Sequence, residues 1–199
     1  RHEAESETQQ RQAAWQQWKD APLAPVAWQI PLQRLLDDDY CTQVTNLLSQ
    51  QSVGWECMKA TPNLWKQLPR HRGVYMFVWR PILYLGMENG QNSQLFLPVY
   101  VGKAGGVPSN NTLDNRYKTE YRAYLGDNPK LLWTITETTH RVSRLKRYLQ
   151  LRPLEFWFLP TKDAESADCV ESHLLNTLSP PANSRPGAIA RLKPPQPAF

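Results

Sequence analysis

Up to about residue 70 the apolar positions of this chain recur at helical intervals, and from Gly73 onward short, nearly continuous apolar runs replace them. Residues 5–19, SETQQRQAAWQQWKD, read as a polar helix that ends where APLAPVAWQIP brings in prolines. Leu32, Leu35, Leu36, Val44, Leu47 and Leu48 place a second helix over 32–51. The runs GVYMFVW (73–79) and LPVYVGK (97–103) predict strands, LLWTITET (131–138) another, and LEFWFLP (154–160) a buried one. Between the first two lies RPILYLGMENGQNSQLF (80–96), a polar loop or a short extra strand with a turn at Asn89-Gly90. Helices are predicted over 110–125, where capping residues precede a stripe of Leu113, Tyr117, Tyr121 and Tyr124, and over 140–151. A last helix covers 163–180, with Ala167, Val170, Leu174 and Leu175 inward and Pro180-Pro181 as its stop.

Composition narrows the class. A chain of 199 residues suits one domain with an appendage, and 41% hydrophobic residues with 8 Trp exclude a wholly disordered polymer. No apolar run approaches bilayer length, and RHEAESETQQRQ is not followed by the apolar stretch of a signal peptide. The expectation is a cytoplasmic protein with no membrane partner. Cys41, Cys57 and Cys169 are isolated and His2, His71, His140 and His173 scattered, so a zinc knuckle, a disulfide framework and a histidine-held metal are all unsupported. Any metal would sit on oxygen.

Lys and Arg total 23 against 18 acids, for a net charge of +5. Cations and tyrosines gather in RYKTEYR (116–122) and HRVSRLKRYLQLR (140–152), and acids at 37–39 and 163–171. A phosphate backbone rewards such basic stripes, and a solvated helix face carries the same pattern. LPVYVGKAGG (97–106) has the same two-sidedness: its glycines make either a tight turn or an open backbone surface for a phosphate, with Lys103 beside it.

In order along the chain stand GVY at 73–75, VYVGKA at 99–104, LDNRY at 113–117, CVESHLL at 169–175 and SPPANSR at 179–185. This order resembles the GIY-YIG nuclease family, in which two tyrosine-bearing tripeptides on neighbouring antiparallel strands precede a helical arginine, a helical glutamate and an asparagine. The resemblance covers roughly residues 73–185 and implies an α+β fold, with a small central antiparallel sheet flanked by helices. It divides the chain into a helical arm (1–70), for recognition or dimerisation, a catalytic domain (71–185) with an insertion at 80–96, and a Pro-rich tail (186–199). ILYLG imitates the second motif through Tyr84 and Gly86, whereas VYVGKA, with Tyr100, carries the lysine and leads directly to the arginine helix.

Phosphodiester hydrolysis needs an activated water, help for the leaving oxygen and positive charge over the equatorial oxygens. The resemblance therefore implies Glu171 as the carboxylate that holds one Mg2+ or Mn2+, and Arg116 as the fork on the phosphoryl oxygens. Tyr75 is the base or positions the attacking water, and a tyrosine base requires cations such as Lys103 and Arg116 to depress it. Tyr100 shares the proton network or holds the phosphate, and Asn183 orients Glu171 or its loop. Position 120, where the family often has histidine or tyrosine, is Glu120; Tyr121 is the next candidate and Arg122 a rival for the arginine. Contacts to double-stranded DNA are expected from Lys103, Arg122, Arg141, Arg144, Lys146 and Arg147. A compact chain with no appended DNA-binding module is similar to the type II restriction endonucleases of the family, which implies sequence-specific cutting, with a homodimer for a symmetric site. A homing or repair endonuclease, and a nucleic-acid-binding module that does not cut, share this pattern.

Overall fold

The computed structural model of the chain describes residues 35–49, 54–81, 84–86, 92–106, 108–133 and 140–183, with residue 16 alone ahead of them. The expected helix over 5–19, residue 16 apart, and the tail from 186 lie outside the described residues. In chain order the elements are α1 (Asp38–Ser49), β1 (Glu56–Lys59), β2 (Gly73–Trp79), β3 (Tyr84–Gly86), β4 (Asn92–Gln94), β5 (Leu97–Ala104), α2 (Leu113–Glu120), α3 (Arg141–Tyr148), β6 (Leu154–Pro160) and α4 (Ala164–Leu178). The fold is α+β: a four-stranded antiparallel sheet in the order β1-β6-β2-β5, flanked by helices. Among the described residues no helix is long and apolar enough to cross a membrane.

Strand β2 is apolar at nearly every position because β5 and β6 pair its two edges and helices cover its two faces. Tyr75 and Phe77 point into an aromatic layer with Tyr100, Tyr117, Tyr121, Phe156 and Phe158. Val74, Met76 and Val78 point the other way, into an aliphatic layer closed by Ala167, Val170 and Leu174 of α4. Helix α4 begins where the Asp163 carboxylate accepts from the Ser166 N–H at 2.7 Å, and it ends at Ser179 in the left-handed conformation (φ 44°). The predicted inward face of this helix holds, with Leu175 half-buried beside the other three.

Several boundaries differ from the sequence reading. The expected helix over 32–51 is interrupted: Leu35 is helical, the chain breaks at Leu36–Asp37, and α1 restarts at Asp38, where the Asp37 side chain accepts from the Tyr40 N–H at 2.9 Å and caps it; residues 32–34 and 50–51 lie outside the described residues. Leu35 and Leu36 precede that cap and are exposed, so among the described positions of the expected stripe Val44, Leu47 and Leu48 face the protein. Helix α2 stops at Glu120, after which the chain tightens into a 3-10 turn over Arg122–Tyr124. In place of the strand expected at 131, Pro129 opens a 3-10 turn over Pro129–Trp133; residues 134–138 lie outside the described residues.

Two further elements are made by pairing. Strand β1, with the exposed pattern of ECMK, was not expected; it adds to the edge of β6, and Leu64 and Leu68 behind it are buried in the aromatic layer. Part of the segment read as an arm is thus built into the core. The insertion contributes a ribbon in which Tyr84 pairs with Gln94 and Gly86 with Asn92, separate from the central sheet. Tyr100 instead stands opposite Phe77 within the central sheet, and Gly102 opposite Tyr75. The tyrosine motif adjacent to β2 is therefore VYVGKA, and Tyr84 and Gly86 belong to the ribbon.

Candidate active site

Strand β5 organises the site because its successive residues face opposite sides of the sheet. On the aromatic side, three phenols meet: the Tyr75 hydroxyl is hydrogen-bonded to that of Tyr121, and the Tyr75 and Tyr100 rings lie 6.3 Å apart. Two guanidiniums reach them from different helices. Arg116 of α2 donates its Nε–H to the Tyr75 hydroxyl at 3.5 Å and pairs through Nη1 with Glu120 at 2.5 Å. Arg141, the first residue of α3, donates to the Tyr100 hydroxyl and holds its guanidinium carbon 5.4 Å from the centre of that ring. On the other side, Lys103 places its ammonium between two carboxylates of α4, 3.0 Å from Asp168 and 2.8 Å from Glu171.

The glycines of LPVYVGKAGG are there for these side chains. A Cβ at Gly102 would stand 2.7 Å from the Tyr75 hydroxyl oxygen and 2.8 Å from its ring carbon, so the missing side chain is the space the phenol occupies. Gly105 takes a left-handed turn (φ 76°), and a Cβ at Gly106 would meet the Lys103 stem at 2.8 Å and collide with Asp168 Oδ1. The motif is neither a plain hairpin turn nor an open backbone surface: each glycine leaves room for a neighbouring site residue or for the turn between them.

Burial sets the protonation of the aromatic half. Tyr75 has no exposed surface; burial pushes its phenol well up, the neighbouring Tyr100 adds to this, and Arg116 pulls it down by less. Tyr121 is raised for the same reasons, burial first and then Tyr75 and Tyr100. This corrects the expectation that cations would depress Tyr75 into a base: desolvation outweighs the one guanidinium that touches it, and the phenol stays neutral. Arg116 and Arg141 stay charged, since the phenols more than offset the cost of their partial burial. Burial works to lower the Lys103 ammonium, and Glu171 and Asp168 outweigh it and hold it above its ordinary value.

Because a phenol whose pKa is raised remains protonated below that value, Tyr75 does not titrate between about pH 6 and 9. For any reaction catalysed at this cluster, a Tyr75→Phe protein is expected to keep the shape of the wild-type pH–rate profile while its rate falls. Loss of an alkaline-rising limb in the variant would contradict this protonation state.

Asn183 does not serve Glu171. Its amide accepts from the Val101 N–H and donates to the Val101 carbonyl, both at 2.8 Å, while the Ala182 N–H donates to Val99 O at 3.0 Å. The segment thus seals the free edge of β5 as one residue of a partner strand would. Asn183→Ala leaves both Val101 groups unpaired at that edge and is expected to cost about 1–3 kcal/mol. It would be read as a lower denaturant midpoint at unchanged slope.

The basic helix is also not a uniform solvated face. Arg144 is buried, Lys146 lies 4.1 Å from the centre of the Tyr124 ring, and Arg147 is half-buried. Arg122 stands 6.0 Å from the centre of the Trp65 ring rather than among the phenols, which leaves Arg116 as the arginine of the Tyr75 cluster. Glu120, Asp168 and the entry of Arg141 into the phenol group were not anticipated. The i, i+4 spacing of Arg116 and Glu120 was the one local signal available for any of them.

Among the described residues no group of three or more His, Cys, Asp or Glu gathers as a metal cage. Asp168 and Glu171, one helical turn apart, form the available oxygen pair. Oxygen ligands of this kind are those a hard divalent cation that keeps most of its waters would take, and here the Lys103 ammonium stands on both carboxylates. Compared with known protein families, curated proteins and solved structures, the chain matches none.

Proposed function

We propose that this chain is a metal-dependent DNA endonuclease of the GIY-YIG type, hydrolysing phosphodiester bonds in the sequence-specific manner of a restriction enzyme. The observation that carries the reading is the meeting of Arg116 and Arg141 on the phenols of Tyr75, Tyr100 and Tyr121, with Lys103 set against Glu171 on the opposite face of the strand that bears Tyr100.

The phenols are buried and the two arginines are not fully so, hence a phosphate meets the guanidiniums first. Arg116 and Arg141 place fixed positive charge over the equatorial oxygens, where charge grows as water adds to phosphorus and the bond to the leaving oxygen breaks. Tyr75, Tyr100 and Tyr121 act through them: they orient both guanidiniums and exclude water behind them. Glu120 holds a second nitrogen of Arg116. A magnesium or manganese ion at Glu171, with Asp168 beside it, would polarise the phosphate and supply a water of lowered pKa. Lys103 adds a charged ammonium at the same carboxylates. Double-stranded DNA is the substrate in this reading, and a homodimer answers a two-fold symmetric site.

A nucleic-acid-binding module on the same fold is the second reading, favoured by the seating of Lys103 on both acidic groups. Plasmid DNA incubated with magnesium, with a chelator, and with Glu171→Gln protein separates the two. Cutting that requires both the cation and the carboxylate supports the enzyme. Salt-sensitive binding without cutting under magnesium or manganese supports the module, and cutting that survives chelation overturns the metal-dependent mechanism. Fragment ends that share one sequence distinguish restriction from homing or repair cutting.

A further inference from the structure

Away from the phenols, three cations from two parts of the fold crowd one indole. Trp65 lies in the 3-10 turn Leu64–Lys66, which packs on α2. The Lys118 ammonium stands 4.6 Å from the centre of its ring, that of Lys66 5.9 Å, and the Arg122 guanidinium 6.0 Å. All three cations are exposed, while Trp65 is half-buried against the aromatic layer. The ring face attracts each cation, but the cations repel one another. The ion pairs of α2 go elsewhere, Arg116 to Glu120 and Asp114 to Arg70. The indole N–H is buried and has no acceptor among the described residues, so an unsatisfied donor adds to the excess of positive character.

We propose that Trp65, Lys66, Lys118 and Arg122 form a phosphate-backbone docking patch that holds DNA beyond the scissile phosphate. The inference rests on the nuclease reading and extends it to a second part of the same substrate. Trp65 gathers the cations and keeps them desolvated on one side, and a polyanion supplies the negative charge that the protein leaves out. Lys118 lies on α2, the helix that also carries Arg116, and Arg122 in the turn that follows it, while Trp65 and Lys66 come from the 3-10 turn packed on that helix. Contacts of this kind give affinity and orientation without reading bases.

The test compares duplex binding as a function of salt for Glu171→Gln protein, for the same protein with Lys66→Gln and Lys118→Gln, and for a control with Lys59→Gln and Lys162→Gln. Both pairs remove the same charge. If the patch meets two phosphates, the slope of log K against log salt falls by about 2 in the first pair, and stays near the parent value in the control. Adding Arg122→Gln lowers it by about 1 more, and Lys118→Arg preserves it. Equal slopes for the two pairs overturn the patch. If the protein with Glu171 intact still cuts DNA with magnesium in that case, the patch alone has failed. Absence of both cutting and salt-sensitive binding would remove the nuclease reading as well.

Discussion

On the proposed endonuclease reading, Arg116→Ala is expected to lower the rate of DNA cutting at saturating substrate by about 10²–10³-fold, and Arg141→Ala to do the same, each a loss of about 2.7–4 kcal/mol of transition-state stabilisation. The size follows from where the guanidiniums sit. Both are held by buried hydroxyls of one phenol cluster, so their charge is aimed before substrate arrives and needs no reorganisation when the phosphoryl charge develops. Lysine at either position restores little, because a single ammonium cannot both accept the phenol's orientation and fork two oxygens. Arg122→Ala, by contrast, raises the DNA concentration needed for half-maximal cutting, since that side chain rests on Trp65. The double variant Arg116→Ala with Arg141→Ala falls short of the product of the two single losses, because the residues share one network through Tyr75, Tyr100 and Tyr121. Single-turnover cutting rates at saturating DNA measure all of this. A rate at saturation for Arg141→Ala within twofold of wild type would return that residue to simple backbone contact, and the active-site reading would rest on Arg116.

What the sequence makes legible is the part of the fold that local pattern dictates. Strand β2 is a continuous apolar run buried on both faces, and β5 and β6 are apolar along most of their length, interrupted by Gly102, Lys103 and Glu155. Helix α4 shows its inward stripe within its fifteen residues and its stop signal, Pro180-Pro181, just after them. Strand β1 is invisible for the converse reason: four residues on an edge, mostly exposed, gain their conformation from pairing with β6 and not from their own side chains. The break at Leu36–Asp37 is not visible in the period, which Leu35 and Leu36 both match; the Asp37 side chain decides where α1 begins.

The site divides along the same line. Tyr75, Tyr100 and Arg116 could be picked out because they sit on elements of recognisable type in a recognisable order, and they do come together. Arg141 is 41 residues from Tyr100 in the chain, and only the return of α3 over the aromatic layer brings the two into contact. Protonation was the harder inference. Residue types alone place cations near a tyrosine, but complete burial of that tyrosine, a property of the sheet and its cover, decides the direction of the shift. The fate of Asn183 is similar, since the need it meets is created by β5 being an edge.

Phe156→Ala costs about 3–5 kcal/mol of stability, the largest loss expected from a single truncation in this fold. Phe156, on the central side of β6, is 1% exposed and touches four rings: Tyr117 at 4.9 Å between centroids, Tyr75 and Phe77 at 5.2 Å, and Phe158 at 6.1 Å. Its removal leaves a cavity among stiff aromatic rings that are themselves hydrogen-bonded or wedged against the sheet, so the space cannot collapse. For a domain of this size the loss corresponds to a fall in melting temperature of roughly 6–20 °C. Phe96→Ala provides the contrast: that ring is stacked on Trp157 at 6.1 Å but is 55% exposed, and its loss costs under about 1 kcal/mol. The same cavity reaches the site, because the Phe156 ring stacks on Tyr75 and, with Gly102 on the other side, confines it. Cutting by the folded fraction of Phe156→Ala therefore also declines, as the Tyr75 hydroxyl loses its place beneath Arg116. Thermal melts of the two variants beside wild type decide the matter: a melting temperature for Phe156→Ala within about 3 °C of Phe96→Ala would mean that the aromatic layer is not the principal core.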